Sequence, residues 1–376
     1  MCVYEQFLKE LYKYLLNTED IYNNVIKKHV RKLEQFGELS FRPTIPQFRN
    51  FSLDNLKENI TRESKNWKLS ICNCALKDNS YHFYIERSCT FQLVIKEILA
   101  KGSKYGSQKL NLSKNIEIRT DCDKGPDITL TQLRIVLLKS AVERFLHFNE
   151  CNDDKSNTTT IYLEYNSNGN NDRKILCSPV LYLSDGKNVN ISAEEFYKKR
   201  TVDMRLMAEH KYGLRITSNS GWQEIFKKLG EAAVTMELLQ IKTNRSVLCK
   251  MNDLCSSCSK GASFILYNCA RLSTLFREFH KRVDSKVYPP LPKFEDVNFT
   301  LLTEPEEWEL LYVFMLQFPL LVQSCIKDIE NNNIKIYNLC HTLASMSLTF
   351  SGYYQRVRIL MVMCLCSTTL RVKRIF

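Results

Sequence analysis

The chain has 376 residues, 44% of them hydrophobic and 25% charged, with a formal charge of +12. This excludes disordered and collagenous classes, provides core material for two or three domains, and favours polyanionic partners. Only 11 glycines are present, none arranged as G-x-G-x-x-G or G-x-x-x-x-G-K-[ST], so a glycine-built phosphate loop is excluded.

The positive excess is spread along the chain. Residues 229–376 carry 17 Lys/Arg against 13 Asp/Glu, and residues 1–228 carry 36 against 28. The 15 cysteines are scattered without a secretion signal and read as reduced thiols. The opening "MCVYEQFLKELYKYLL" has charges where a signal peptide needs an apolar centre, and no stretch of about 18 apolar residues is expected. A cytosolic or nuclear protein with no membrane segment is expected.

From Glu5 to about Phe36, apolar residues recur at helical spacing (Phe7, Leu11, Tyr14, Leu15; then Ile21, Val25, Ile26, Val30, Leu33), which predicts two opening helices ended by the prolines of "FRPTIPQF". Between Trp67 and Arg119, the β-rich runs "KLSICNCAL", "YHFYIE" and "NIEIR" surround a helical segment at Thr90–Leu99, the pattern of a small mixed domain. "LTQLRIVLLKSAVERFLHF" is a strong helix with Leu133, Val136, Leu137, Val142, Phe145 and Leu146 on its apolar side. Strands follow at "TIYLEY" and "KILCSPVLYLS", joined by the turn "NSNGNNDR".

After Gly221 everything reads as helix. Ile265, Cys269, Leu272, Phe276 and Phe279 step by four and three, as do Leu339, Leu343, Met346, Phe350, Tyr353 and Val357. "TEPEEWELLYVFMLQFP" opens with Thr303 and Glu306 in capping-box spacing, carries Pro305 in its first turn and stops at Pro319. Four or five helices with short loops make a bundle of ordinary domain size.

At "YNCARLSTLFREF" the chain resembles the DALR anticodon-binding domain found at the C-terminal end of arginyl-tRNA synthetases. In that family a helix of the form Y-x-x-A-R-x-x-S/T-[IL]-x-R lies against the anticodon stem and loop; Tyr267, Ala270, Arg271, Thr274, Leu275 and Arg277 fit it. "KTNRS", "EEWELLYVFMLQFPLLVQSCIKDIE" and "FSGYYQRVRIL" resemble further family segments in order, together covering about residues 229–360. Where an active synthetase opens its first Rossmann helix with H-I-G-H-L-R, this chain has "TLTQLR". Thr129 and Gln132 therefore stand at the lost catalytic positions, where the family's histidines contact ATP phosphates. The K-M-S-K loop has no counterpart.

The resemblance implies an α+β, mostly α chain: a mixed α/β N-terminal domain (1–110), a shrunken degenerate Rossmann-like region (111–228) and an all-α DALR-type helical bundle (229–376). It is similar to a non-catalytic branch of the DALR family. That branch implies a cytoplasmic adaptor, not an enzyme, that binds arginine tRNA and partners a methyltransferase-like enzyme installing 3-methylcytidine in the anticodon loop. No cofactor is implied. Two alternatives remain: a residual arginyl-tRNA synthetase-like enzyme, and a protein-interaction scaffold without RNA binding.

The RNA-binding candidates form two clusters. Tyr267, Arg271, Thr274 and Lys281 fall on one helical stripe with Arg277 beside it, while Ile265, Leu272, Phe276 and Phe279 are expected to pack inward. Arg271 is open to two readings, an RNA contact or a structural arginine bridging helices. Tyr354, Arg356 and Arg358 form the second cluster. Unpaired bases stack on tyrosine or guanidinium planes, which suits a single-stranded loop. Cys255 and Cys258 make a C-x-x-C without a second pair at matching spacing, so no metal site is expected.

Overall fold

A computed structural model describes residues 1–21, 25–43, 55–109, 115–122, 125, 127–149, 158–165, 173–212, 220–250, 261–357 and 359–360. In chain order the elements are α1 (Val3–Leu16), β1 (Ile26–Lys28), α2 (Leu33–Phe36), β2 (Leu39–Phe41), α3 (Leu56–Glu63), β3 (Ile71–Lys77), β4 (Ser80–Ile85) and α4 (Arg87–Lys101). Then come β5 (Asn115–Arg119), α5 (Leu130–Phe148), β6 (Thr158–Glu164), β7 (Lys174–Leu176), β8 (Val180–Tyr182), α6 (Ala193–Tyr212) and α7 (Ser220–Leu239). The chain closes with β9 (Val247–Cys249), α8 (Ala262–Asp284), α9 (Pro305–Glu309), α10 (Phe318–Ile326) and α11 (Ile336–Arg356). The architecture is α+β and mostly helical, with mixed α/β structure ahead of a C-terminal helical region.

The chain divides into two compact units, both discontinuous in sequence. The first comprises residues 1–106, 277–320 and 349–376, and the second 107–276 and 321–348. The boundaries at 276/277 and 348/349 fall inside α8 and α11.

In the first unit a four-stranded antiparallel sheet runs in the order β1-β2-β4-β3. Of the two expected opening helices the first forms as α1; among the described residues the second is replaced by β1 and the four-residue α2. Val25 and Ile26 are buried at the start of a strand, because β-branched side chains suit a pleated surface and β2 offers its hydrogen-bonding edge to β1. Gly37 has φ +64°, and a Cβ there would stand 2.3 Å from the Phe83 carbonyl oxygen, so this corner needs glycine. The core joins Phe7, Leu11, Phe41 and Phe83 to Trp308, Leu311 and Tyr312.

Glu38 is the polar centre of that core, 1% exposed. Its carboxylate accepts hydrogen bonds from Trp308 Nε1 at 2.7 Å and the Ile85 N–H at 2.7 Å. Its carbonyl accepts from the Tyr312 hydroxyl at 3.0 Å, and that hydroxyl lies 3.1 Å from the Tyr4 hydroxyl. Burial pushes the Glu38 carboxyl above its ordinary range, with the Ile85 N–H and the indole opposing.

The helical run at 305 is capped one residue later than its spacing predicts. The N-cap is Glu304, and Glu307 reaches back to accept from the Glu304 N–H at 2.9 Å. A π-helical turn at Leu310–Met315 follows. Pro319 then sits in the first turn of α10, where its missing N–H costs nothing, so it does not stop the helical run. Against expectation, the helical run Pro305–Asn331 is long and apolar enough to cross a membrane, but half of its most apolar stretch is buried in protein.

In the second unit β5, α5 and β6 make a parallel β-α-β crossover, and β6 also pairs with β7 in parallel, so the two strands expected to flank a turn do not form a hairpin. The loop between them, 166–172, lies outside the described residues. A separate parallel pair joins β8 to β9. The segment 247–249, expected as helix, is thus a strand: Val247 and Cys249 are buried and Leu248 is exposed, a period of two that three residues cannot announce.

Helix α5 is apolar on more than one side. Leu130 and Leu133 enter one core with Phe196 and Val247, while Ile135, Leu138 and Val142 enter another with Ile161 and Ile326. Val136 and Leu137, expected inside, are only half-buried. Helices α6 and α7 pack closely at Gly230, where a Cβ would lie 2.5 Å from Thr201 Oγ1. Beside this contact, buried Arg200 forms a two-bond fork with Glu237 at 2.8 Å and reaches Asp203 at 2.8 Å.

Candidate functional site

The stripe on α8 exists as a helical face. Tyr267 is 39% exposed, and Thr274, Arg277 and Lys281 are exposed. The unit boundary leaves Tyr267, Arg271 and Thr274 with the second unit and Arg277 and Lys281 with the first. The structure joins two of these residues directly: the Arg271 guanidinium lies 4.6 Å from the Tyr267 ring centroid and donates to its hydroxyl at 3.1 Å. Arg271 also donates to Asn268 Oδ1 at 3.3 Å.

Asn268, only 3% exposed, in turn donates to the Phe264 carbonyl on its own helix and to the Ser347 carbonyl of α11 at 3.4 Å. Half-buried Arg271 is therefore braced along α8, with Asn268 making the tie to α11. Spacing does not single out Asn268; an asparagine three residues after Ile265 on an apolar stripe was the available sign. The inward face is rotated from the expected one: Phe279 is buried, Ile265 and Leu272 are half-buried, but Phe276 is 60% exposed and Cys269 is exposed. The buried Asn268 and Phe279 set the seam instead, because four-and-three spacing fits either of two adjacent stripes.

The second cluster is drawn into protein contacts. Arg356 pairs with Glu304 at 2.6 Å and with Glu306, where its Nε donates at 3.2 Å. The Glu306 and Glu304 carboxylates raise the proton affinity of this guanidinium further. Nearby, Tyr353 donates to Glu307 at 2.7 Å and Thr349 to Glu309 at 3.0 Å, so four carboxylates around α9 hold the last turns of α11. Tyr354 is half-buried with its ring 5.8 Å from Phe350. Arg358 lies outside the described residues, as do Cys255, Cys258 and the segment 361–376.

At the motif "TLTQLR", Thr129 is the N-cap of α5 and forms a reciprocal capping box with Gln132, whose amide oxygen accepts from the Thr129 N–H at 2.9 Å. A cleft of about 1000 Å³ opens beside them. Its wall includes Asp127, Glu194 and Glu195, with no Lys or Arg among its lining residues. Glu195 and Ser192 cap α6 reciprocally.

Arg134, the last residue of the motif, points the other way. Only 1% exposed, it donates to five backbone carbonyls: Leu238 (3.1 Å), Ser178 (2.6 Å), Arg245 (2.9 Å), Ile241 (3.1 Å) and Lys242 (2.9 Å). Burial lowers its pKa from the ordinary arginine value. Among the described residues no group of three or more His, Cys, Asp or Glu is placed to hold a metal.

A model of the DALR anticodon binding domain family matches residues 265–363, from α8 past the end of α11. Similar curated proteins include DALR anticodon-binding domain-containing protein 3 of Danio rerio, 28% identical over 57% of this chain and 39% of that protein. The protein of the same name in Rattus norvegicus is 27% identical over 50% of this chain and 36% of its own. The chain thus spans well under half the length of the curated relatives it matches. Among solved structures, arginyl-tRNA synthetase of Thermus thermophilus aligns at 13% identity and TM-score 0.34 over 64% of this chain and 33% of that one. The enzyme of Plasmodium falciparum aligns at 15% identity and TM-score 0.36, covering 81% and 45%.

Proposed function

We propose that the chain is a cytoplasmic, non-catalytic adaptor that binds arginine tRNA by its anticodon arm. In this reading it presents the anticodon loop to a partner methyltransferase-like enzyme that forms 3-methylcytidine. The observation that carries the reading is the anticodon-binding-domain match across α8 to α11, on a stretch where α8 keeps Tyr267, Thr274, Arg277 and Lys281 toward solvent. The charge of +12 supports a polyanionic partner. Tyr267 with Arg271 above its ring supplies a flat, donor-rich platform of the kind on which unpaired bases stack.

The absence of catalysis is supported by what became of the nucleotide-contacting positions. Thr129 and Gln132 spend their hydrogen bonds on each other and on the helix start. The cleft beside them is lined by Asp127, Glu194 and Glu195, with Glu194 paired to Lys198, and its lining offers no Lys or Arg to a triphosphate where adenylate formation needs positive charge.

Gel-shift titration of arginine tRNA across a salt series tests the binding. Neutralising around six phosphates gives a log-log slope near −5, and no binding at low salt, or a slope near zero, overturns the proposal. Exchange between ATP and pyrophosphate with arginine and tRNA present should stay at background. For the partner role, 3-methylcytidine in arginine tRNA should fall when the chain is removed from cells and return with the wild-type protein.

A further inference from the structure

We infer that the turn at residues 242–245, with Tyr337 at the start of α11, is a second RNA-contacting site, in which Lys242 and Arg245 take backbone phosphates and Tyr337 offers its ring to an adjoining base. This rests on the adaptor reading but uses residues outside both clusters considered above.

The turn is held from beneath by its own backbone. The carbonyls of Ile241, Lys242 and Arg245 all accept from buried Arg134, and the Thr243 carbonyl accepts from the Ser178 N–H at 2.8 Å. The Arg245 N–H closes the turn onto the Lys242 carbonyl at 3.0 Å. With these carbonyls engaged, the side chains of Lys242, Asn244 and Arg245 are exposed.

Some surface cations elsewhere are neutralised by a neighbouring carboxylate, as in Lys139–Glu143, Lys198–Glu194, Arg205–Glu209 and Lys228–Glu224. Among the described residues Lys242 and Arg245 have no such partner. The Lys242 ammonium instead stands 5.4 Å from the Tyr337 ring centroid, and the exposed His341 ring meets Tyr337 edge-on at 6.3 Å. Two exposed cations on a rigid turn, Lys242 beside an aromatic ring, match a nucleic-acid strand, where phosphate and base alternate within one nucleotide. Because the backbone is already fixed, the ordering cost of binding is confined to the side chains. An acidic protein surface would use the cations but not the ring.

The test titrates arginine tRNA and, separately, a short unstructured RNA against the full chain, its K242A/R245A and Y337A variants, and R271E/R277E on α8. Removing both cations should make the tRNA salt slope shallower by about 2 and weaken binding about tenfold, with K242R/R245K restoring most of it. Y337A should weaken the short RNA while Y337F does not. Melting curves matching wild type show that the substitutions leave the fold intact. If tRNA binding is lost in R271E/R277E but K242A/R245A keeps the wild-type slope, the second site is refuted and the adaptor reading survives. If wild type ignores tRNA yet binds short RNA through Lys242 and Arg245, the second site stands and the adaptor reading falls. If wild type binds neither RNA, or its cations prove to bind only an acidic protein, the inference fails.

Discussion

Each compact unit buries an ion that has no counter-ion hydrogen-bonded to it, and the two solve that problem differently. In the first, Glu38 receives two neutral N–H donors, from Trp308 and Ile85. In the second, Arg134 gives its guanidinium to five carbonyls. A guanidinium has five donors in a fixed fork, and here each reaches an acceptor. A carboxylate offers about four acceptor sites, of which Glu38 uses two, and its carboxyl is pushed upward by burial. The lesson is that satisfaction is set by how many partners the backbone can supply to one point. The C-terminal end of α7 and the turn after it converge on Arg134 with carbonyls that would otherwise lack partners.

Breaking the second hub should have the largest effect. Arg134→Met leaves several carbonyls buried and unmet and is expected to cost about 4 kcal/mol in urea unfolding followed by circular dichroism. Arg134→Lys separates charge from fork geometry: keeping the charge but offering three donors, it should still cost about 3 kcal/mol, and a neutral outcome would show that charge alone matters. In the first unit, Glu38→Gln turns one acceptor into a donor facing an N–H and should cost about 2 kcal/mol at neutral pH. Trp308→Phe removes one donor from the carboxylate and should cost about 1 to 2 kcal/mol by the same measurement.

The smallest effect is a pH dependence. Because the folded Glu38 carboxyl lies above its ordinary value near 4.5, its protonation stabilises the fold below that value and is lost as pH rises through the folded one. The gap in melting temperature between wild type and Glu38→Gln should therefore widen as pH falls from 7 toward 4.5. A gap that narrows would mean the two N–H donors outweigh burial.

Much of the fold was legible because long periodic runs impose it. Helix α5 begins and ends with its segment, and the β3–β4 hairpin and α4 lie where alternation and helical spacing put them. What escaped was short or non-local. Strands β1 and β9 have three residues each and acquire their identity from a distant pairing edge. The cap at Glu304 competes with an equally well-spaced Thr303. The candidate site was half legible: Tyr267 and Arg271 meet because four residues make a helical turn. Arg356 could not be read in the same way, since its carboxylates come from a segment some 50 positions upstream. Arg134, at the end of "TLTQLR", was not singled out by the sequence, and only the converging carbonyls reveal its work as a clamp.

The placement of α9 and α10 has a practical consequence for anyone wishing to isolate the stretch 265–363. Its helices are shared between two interiors, each half built from chain that precedes it: Trp308 and Tyr312 belong with Phe7 and Phe83, whereas Ile326 and Ile329 belong with Ile118 and Ile161. Excised alone, the fragment would bare two sets of large apolar side chains and aggregate.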